Sequence, residues 1–120
     1  MDPEQRARGN EAGDEIRRRW AEFEVNLDDA VVAYTGFGRQ KIPTADQEAV
    51  LALNPTVGTA LLNAVTEAAR VSDTITFDEV APFDTELRGR LHQRLRVLLP
   101  YLGPTAVEAL GWRWGFLNLR

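Results

Sequence analysis

The sequence predicts an all-α fold: a compact single-domain bundle of about five helices, closed by an extended aromatic segment at the C-terminus. Three observations carry that expectation. Large apolar residues recur at steps of three and four, the spacing that lines one face of a helix. Helix-start chemistry stands ahead of those stripes. The one stretch of strand character, Thr74 to Phe77, has no evident pairing partner and would be unstable as an isolated strand. At 120 residues the chain can bury one core but not two, and 44% hydrophobic residues against 27% charged is too apolar for a disordered chain.

Residues 1–10 carry no large apolar side chain after Met1 and read as a polar tail ahead of a helical domain over 11–120. From Asp14 to Tyr34, the residues Ile16, Trp20, Phe23, Leu27, Val31 and Tyr34 form one apolar stripe and predict a single helix. Asp14/Arg18 and Glu15/Arg19 are acid-before-base pairs on its other face, each worth about 0.3 kcal/mol. Gly36 and Gly38, flanking Phe37, end it. Thr44 as N-cap, with Gln47 as its capping-box partner, opens a second helix that runs to about Leu53. Asn54 caps a third, with Pro55 at its first position. Its stripe is Val57, Leu61, Ala64, Val65 and Ala68, and the small residues there, with Gly58, admit a close neighbour.

Thr76 and Glu79 form a further capping box around a short helical turn from Phe77 to Val80. Asp84 caps the next helix, whose stripe is Leu87, Leu91, Leu95 and Leu98, and Pro100 stops it after Leu99. A last short helix runs from Pro104 to Leu110, where Gly111 closes it. Beyond it Trp112, Trp114 and Phe116 alternate as in an extended segment with one buried face, a clasp folded back on the bundle.

Composition removes most catalytic chemistry. There is no cysteine, which excludes disulfides, thiolate catalysis and Cys-ligated metals. His92 is the only histidine, so one chain cannot assemble a His-rich zinc site; on the arginine face of its helix it reads as an ordinary surface residue. The carboxylate pairs Asp28/Asp29, Asp78/Glu79 and Asp84/Glu86 fit no calcium loop and read as caps or solvated faces. Ser72, the only serine, lies in a turn with no nucleophile elbow, and Gly36-Phe37-Gly38-Arg39 lacks the preceding strand and the continuation of a phosphate loop. The expectation is a protein that is not an enzyme, with no cofactor, metal or small-molecule substrate.

No apolar run approaches the ~20 residues of a membrane span. The start, Met1-Asp2-Pro3-Glu4-Gln5, lacks the basic-then-apolar pattern of a leader, so a cytoplasmic protein is expected. Lys41 is the one lysine among 14 basic residues, a GC-rich coding bias of bacterial or phage kind from which no function follows.

Two surfaces could meet a partner. Residues 1–82 hold 15 acids and 8 bases, a net of -7, while residues 83–120 hold 3 acids and 6 bases, a net of +3. In that basic end Arg88, Arg90, Arg94 and Arg96 interleave with leucines and could touch phosphates. Against this, the whole chain is acidic. The helix pair 44–53 and 55–70 also makes a poor helix-turn-helix, carrying Asp46 and Glu48 and no base-reading arginine or asparagine at the start of its second helix. Trp112, Arg113, Trp114 and Phe116 instead concentrate the residue types of interface hot spots, and Phe37 with Arg39 offers a second basic-aromatic patch. If the fold joins the two patches they form a surface for another protein or for self-association. The leading expectation is therefore a non-catalytic protein-binding module, a subunit of an assembly or a regulator or inhibitor docking on a larger protein. The alternative is a helical accessory subunit of a nucleoprotein complex, contacting nucleic-acid backbone through Arg88, Arg90, Arg94 and Arg96.

Overall fold

A computed structural model describes residues 13–77 and 86–119, which form six helices and no strand. They are α1 over 13–21, α2 (Leu27–Thr35), α3 (Gln47–Leu53), α4 (Gly58–Asp73), α5 (Leu87–Leu98) and α6 (Pro104–Asn118). The all-α class is as expected, and the helix count is six rather than five.

The helix expected from Asp14 to Tyr34 is two helices. After α1, the Glu24 N–H donates to the Ala21 carbonyl at 2.9 Å and the Val25 N–H to the Trp20 carbonyl at 3.1 Å, a Schellman ending with Glu24 at φ 58°. That is the left-handed conformation glycine prefers, and a side chain there costs about 1 kcal/mol. Asn26 then caps α2, its side chain accepting the Asp28 N–H at 2.8 Å, and Asp28 and Asp29 place negative charge in the first turn. Because both halves still face inward, Ile16 and Trp20 pack against the core while Leu27, Val31 and Tyr34 are buried; Phe23, at the break, is exposed. Glu15 pairs with Arg19 at 2.8 Å as expected, but the Asp14 carboxylate takes Arg17 at 2.6 Å, and the Arg18 guanidinium donates to the Asp14 backbone carbonyl at 3.4 Å.

Gly36 ends α2 at φ 77°. The cap of α3 is Asp46, which accepts the Ala49 N–H at 3.0 Å; the expected cap, Thr44, instead donates its hydroxyl to the Tyr34 carbonyl at 2.8 Å and ties the approach to α3 back onto α2. α4 starts at Gly58, later than expected, because Asn54 is drawn two ways. Its Oδ1 accepts the Thr56 N–H at 3.1 Å and its Nδ2 donates to the Phe23 carbonyl at 2.8 Å, so residues 55–57 form a turn and Val57 takes the N-cap with no side-chain bond. Leu61, Val65 and Ala68 are buried as the stripe requires. Gly58 admits Leu51, whose side chain lies 3.1 Å from where a Cβ would stand.

The tail over 1–10, the Thr76/Glu79 box with most of the turn expected from Phe77 to Val80, and the Asp84 cap lie outside the described residues. α5 buries Leu87, Leu91 and Leu95. The fourth inward leucine is Leu99, not Leu98: steps of four continue past the helix end, where the Leu99 N–H still bonds the Leu95 carbonyl at 2.8 Å, and Leu98 is exposed.

The largest correction concerns the C-terminus. α6 does not stop at Leu110; it continues through Gly111 and Gly115 to Asn118, and there is no extended aromatic segment. Each interior glycine costs a helix about 1 kcal/mol relative to alanine. The helical path more than offsets this by burying Leu110 and Trp114, four residues apart, on one face. The Trp114 indole donates to the Ile75 carbonyl at 3.0 Å and meets Phe77 edge-on at 5.7 Å between ring centres.

α2 lies against α6, α3 and α4, α3 against α4, and α5 against α6, with α4 also reaching α6. α6 is thereby held from several sides. No described helix is long and apolar enough to cross a membrane.

Candidate functional site

α5 and α6 leave a groove of about 360 Å³ between them. On α6 its wall is built from Glu108, Gly111 and Gly115, continued by Leu119 at the helix's C-cap, at steps of three, four and four. Trp112 and Trp114 border that wall. α5 contributes Leu87, Arg88, Leu91 and His92, and Phe37 closes one end from the turn after α2. Gly111 is what allows the two helices so close: a Cβ there would stand 2.8 Å from His92 Nε2.

The two patches singled out in the sequence do meet, in part. The Phe37 and Trp112 rings lie 5.7 Å apart at a tilt of 58°, both half-buried, 75 residues apart in sequence. Trp114 is almost fully buried, so it supports the groove from beneath rather than offering its ring to a partner. Arg113 points away from the groove and is spent on Asp73 at the end of α4, through bonds of 2.5 and 3.2 Å. Arg39 is exposed, donates at 3.5 Å to the Ala33 carbonyl and does not line the groove; Phe116, half-buried, does not line it either. Leu117 and Leu119, which a clasp would bury, are about half exposed at 53% and 51%.

The arginines of α5 do not act as one surface. Arg88 lines the groove, 4.0 Å from Glu108. Arg90 lies over the Phe77 ring at 5.6 Å, and Arg96 borders a separate depression beside Arg17 and Pro104. Arg94 is exposed and lines neither.

His92, expected on the surface, is half-buried in the groove. Burial against α6, and after it the charges of Arg88 and Arg96, push its pKa below the ordinary value, with Glu108 opposing weakly. At neutral pH the imidazole is therefore uncharged, one nitrogen a donor and the other an acceptor. Among the described residues no Ser, Thr, Cys or Lys lines the groove, and no three His, Cys, Asp or Glu side chains are placed to hold a metal ion. Ser72 lies in the last turn of α4, not in a loop; it is buried and its hydroxyl donates to the Ala69 carbonyl at 2.7 Å. The groove thus offers apolar and aromatic walls, one neutral imidazole and a charged pair at the rim, an arrangement suited to holding a side chain.

No protein-family model, curated protein or solved structure matches the chain. His92, Glu108 and Leu119 were not legible as groove residues, because their place depends on α6 remaining helical past Gly111. Given that helix, their spacing alone puts Glu108 and Leu119 on one face with the two glycines.

Proposed function

We propose that the chain is a small, non-catalytic protein-binding module of the cytoplasm, which docks on a larger protein, as a subunit or a regulator, through the groove between α5 and α6. The observation that carries this reading is the Phe37–Trp112 pair, a half-buried aromatic contact at an apolar groove that the half-exposed Leu119 also lines. Tryptophan anchors in partly desolvated pockets carry most of the energy in protein interfaces, and arginine at the edge, here Arg88, is the usual companion. The rim pair Arg88–Glu108 is exposed and adds orientation rather than affinity.

A second reading, contact with nucleic-acid backbone in a nucleoprotein complex, rests on the exposed Arg94 and Arg96. It is the weaker one, since Arg88 faces Glu108 and Arg90 covers Phe77. Purification from the native cells, with and without nuclease, separates the two. A protein partner that survives nuclease and is lost on Trp112→Glu supports groove docking. Material lost to nuclease, or binding that falls steeply with salt and is lost on replacing Arg94 and Arg96 together, supports the second reading.

A further inference from the structure

The end of α1, the turn after it and Tyr101 line a second cavity, of about 330 Å³, at the lower end of the range of small-ligand pockets and sharing no residue with the groove. We propose that this cavity binds an organic cation, an alkylammonium or guanidinium group, between the Trp20 and Tyr101 rings and the carboxylate of Glu24.

Three independent observations converge on that ligand. The first is charge. Two charged side chains besides Glu24 line the cavity, and each is already matched. Arg17 is held by Asp14 at 2.6 Å, while Asp28 accepts the Gly103 N–H at 2.8 Å and the Ala106 N–H at 3.1 Å at the positive end of α6. Glu24 has neither a hydrogen bond nor an ion pair from its side chain among the described residues, although it lines the cavity. An added anion would meet that uncompensated carboxylate; an added cation would neutralise it.

The second is the aromatic walls. Trp20 and Tyr101 are both half-buried, and neither the indole N–H nor the phenol bonds a described residue. The phenol is held above its ordinary pKa by burial and by the nearby Glu67 carboxylate, so it stays neutral and Tyr101 offers an uncharged aromatic face. A cation over an aromatic face and against a carboxylate is bound by both at once, and a guanidinium or alkylammonium also brings apolar surface to the walls. A metal ion would want several oxygen ligands, and the cavity offers one unmatched carboxylate.

The third is the backbone. Glu24 is the one described non-glycine residue at positive φ, at the position of a Schellman ending where glycine is favoured. A glutamate kept at a glycine position, with its side chain directed to a cavity and not to a capping bond, is a local rule broken where a ligand site stands.

The test uses the full chain and follows the Trp20 indole N–H by NMR, assigned with Trp20→Phe. The probes are n-butylguanidinium and n-butylammonium, a capped Ala-Arg-Ala peptide, and n-butanol as the neutral control. The proposal expects a saturable shift with the cations and none with the alcohol, and Glu24→Gln, which keeps the backbone conformation, should weaken binding about tenfold. Tighter binding of the peptide assigns the ligand to an arginine of a partner protein; equal binding assigns it to a free small cation. Glu24→Gly should raise the melting temperature while also losing the cation. No saturable shift up to about 10 mM, or cation binding unchanged in both Glu24 variants, overturns the proposal.

Discussion

The carboxylate of Asp28, at the start of α2, accepts the backbone N–H of Gly103 at 2.8 Å, so the N-terminus of α6 is capped by a residue from another helix. The second oxygen takes the Ala106 N–H at 3.1 Å. α6 opens with Pro104 and has no cap bond from its own Gly103, which leaves Asp28 to satisfy donors that would otherwise be orphaned in a partly buried site. Replacing Asp28 with Ala should cost about 1–2 kcal/mol in urea unfolding, and Asp28→Asn, which keeps one acceptor, should cost less. Equal melts for wild type and Asp28→Ala would show that α6 is held by packing alone.

Gly103 and Gly89 give a paired prediction from the same geometry. A Cβ on Gly103 would stand 2.6 Å from Asp28 Oδ2, so Gly103→Ala must displace the cap and destabilise by about 1–3 kcal/mol. Gly89 has nothing within 4 Å and sits inside α5, so Gly89→Ala should stabilise by about 0.5–1 kcal/mol. Thermal denaturation of the two variants should therefore move in opposite directions.

How far the fold was legible turns on where local chemistry and the stripe agreed. The leucines of α5 and the core of α4 followed from spacing, since nothing in those segments interrupts the period. The break at residues 22–26 did not. The stripe runs straight through it, and the signal that decides, Asn26 ahead of Asp28 and Asp29, is cap chemistry lying inside an unbroken apolar period. At α6 the difference is opposite in sign: Gly111 reads locally as a stop, yet tertiary contact with His92 makes its missing side chain useful inside a helix. Composition marks Phe37 and Trp112 as interface residue types, but that they meet, like the roles of Asp28 and His92, needs the third dimension.

Helical geometry puts Trp112 and Trp114 about 200° apart, so their replacements should differ. Trp114 is 3% exposed, bonded to Ile75 and edge-on to Phe77, and Trp114→Ala should cost about 3–5 kcal/mol. Trp112 keeps only the Phe37 contact and a half-buried site, and Trp112→Ala should cost about 1 kcal/mol. Equal losses in thermal melts would contradict the helical C-terminus.

Stability should also depend on His92. Its pKa in the folded protein lies below the ordinary histidine value near 6.5, through burial first and then Arg88 and Arg96, so the unfolded chain binds the proton more readily. The contribution is fully present above about pH 6.5, declines as the pH falls through that value, and levels off below the folded pKa. Urea titrations at pH 7.5 and 5.5 should show wild type losing more stability than His92→Gln. An equal loss in both would assign the pH dependence to other groups.

The most direct test of the central claim places a photo-crosslinking amino acid at Leu119 or Arg88 on the groove, and at Thr59 on α4, which does not line it. Irradiation in the native cells should give the same discrete protein adduct from both groove positions and none from Thr59. Adding Trp112→Glu should abolish it while circular dichroism stays helical. Adducts from all three positions alike, or groove adducts that survive Trp112→Glu, would contradict docking through the groove between α5 and α6.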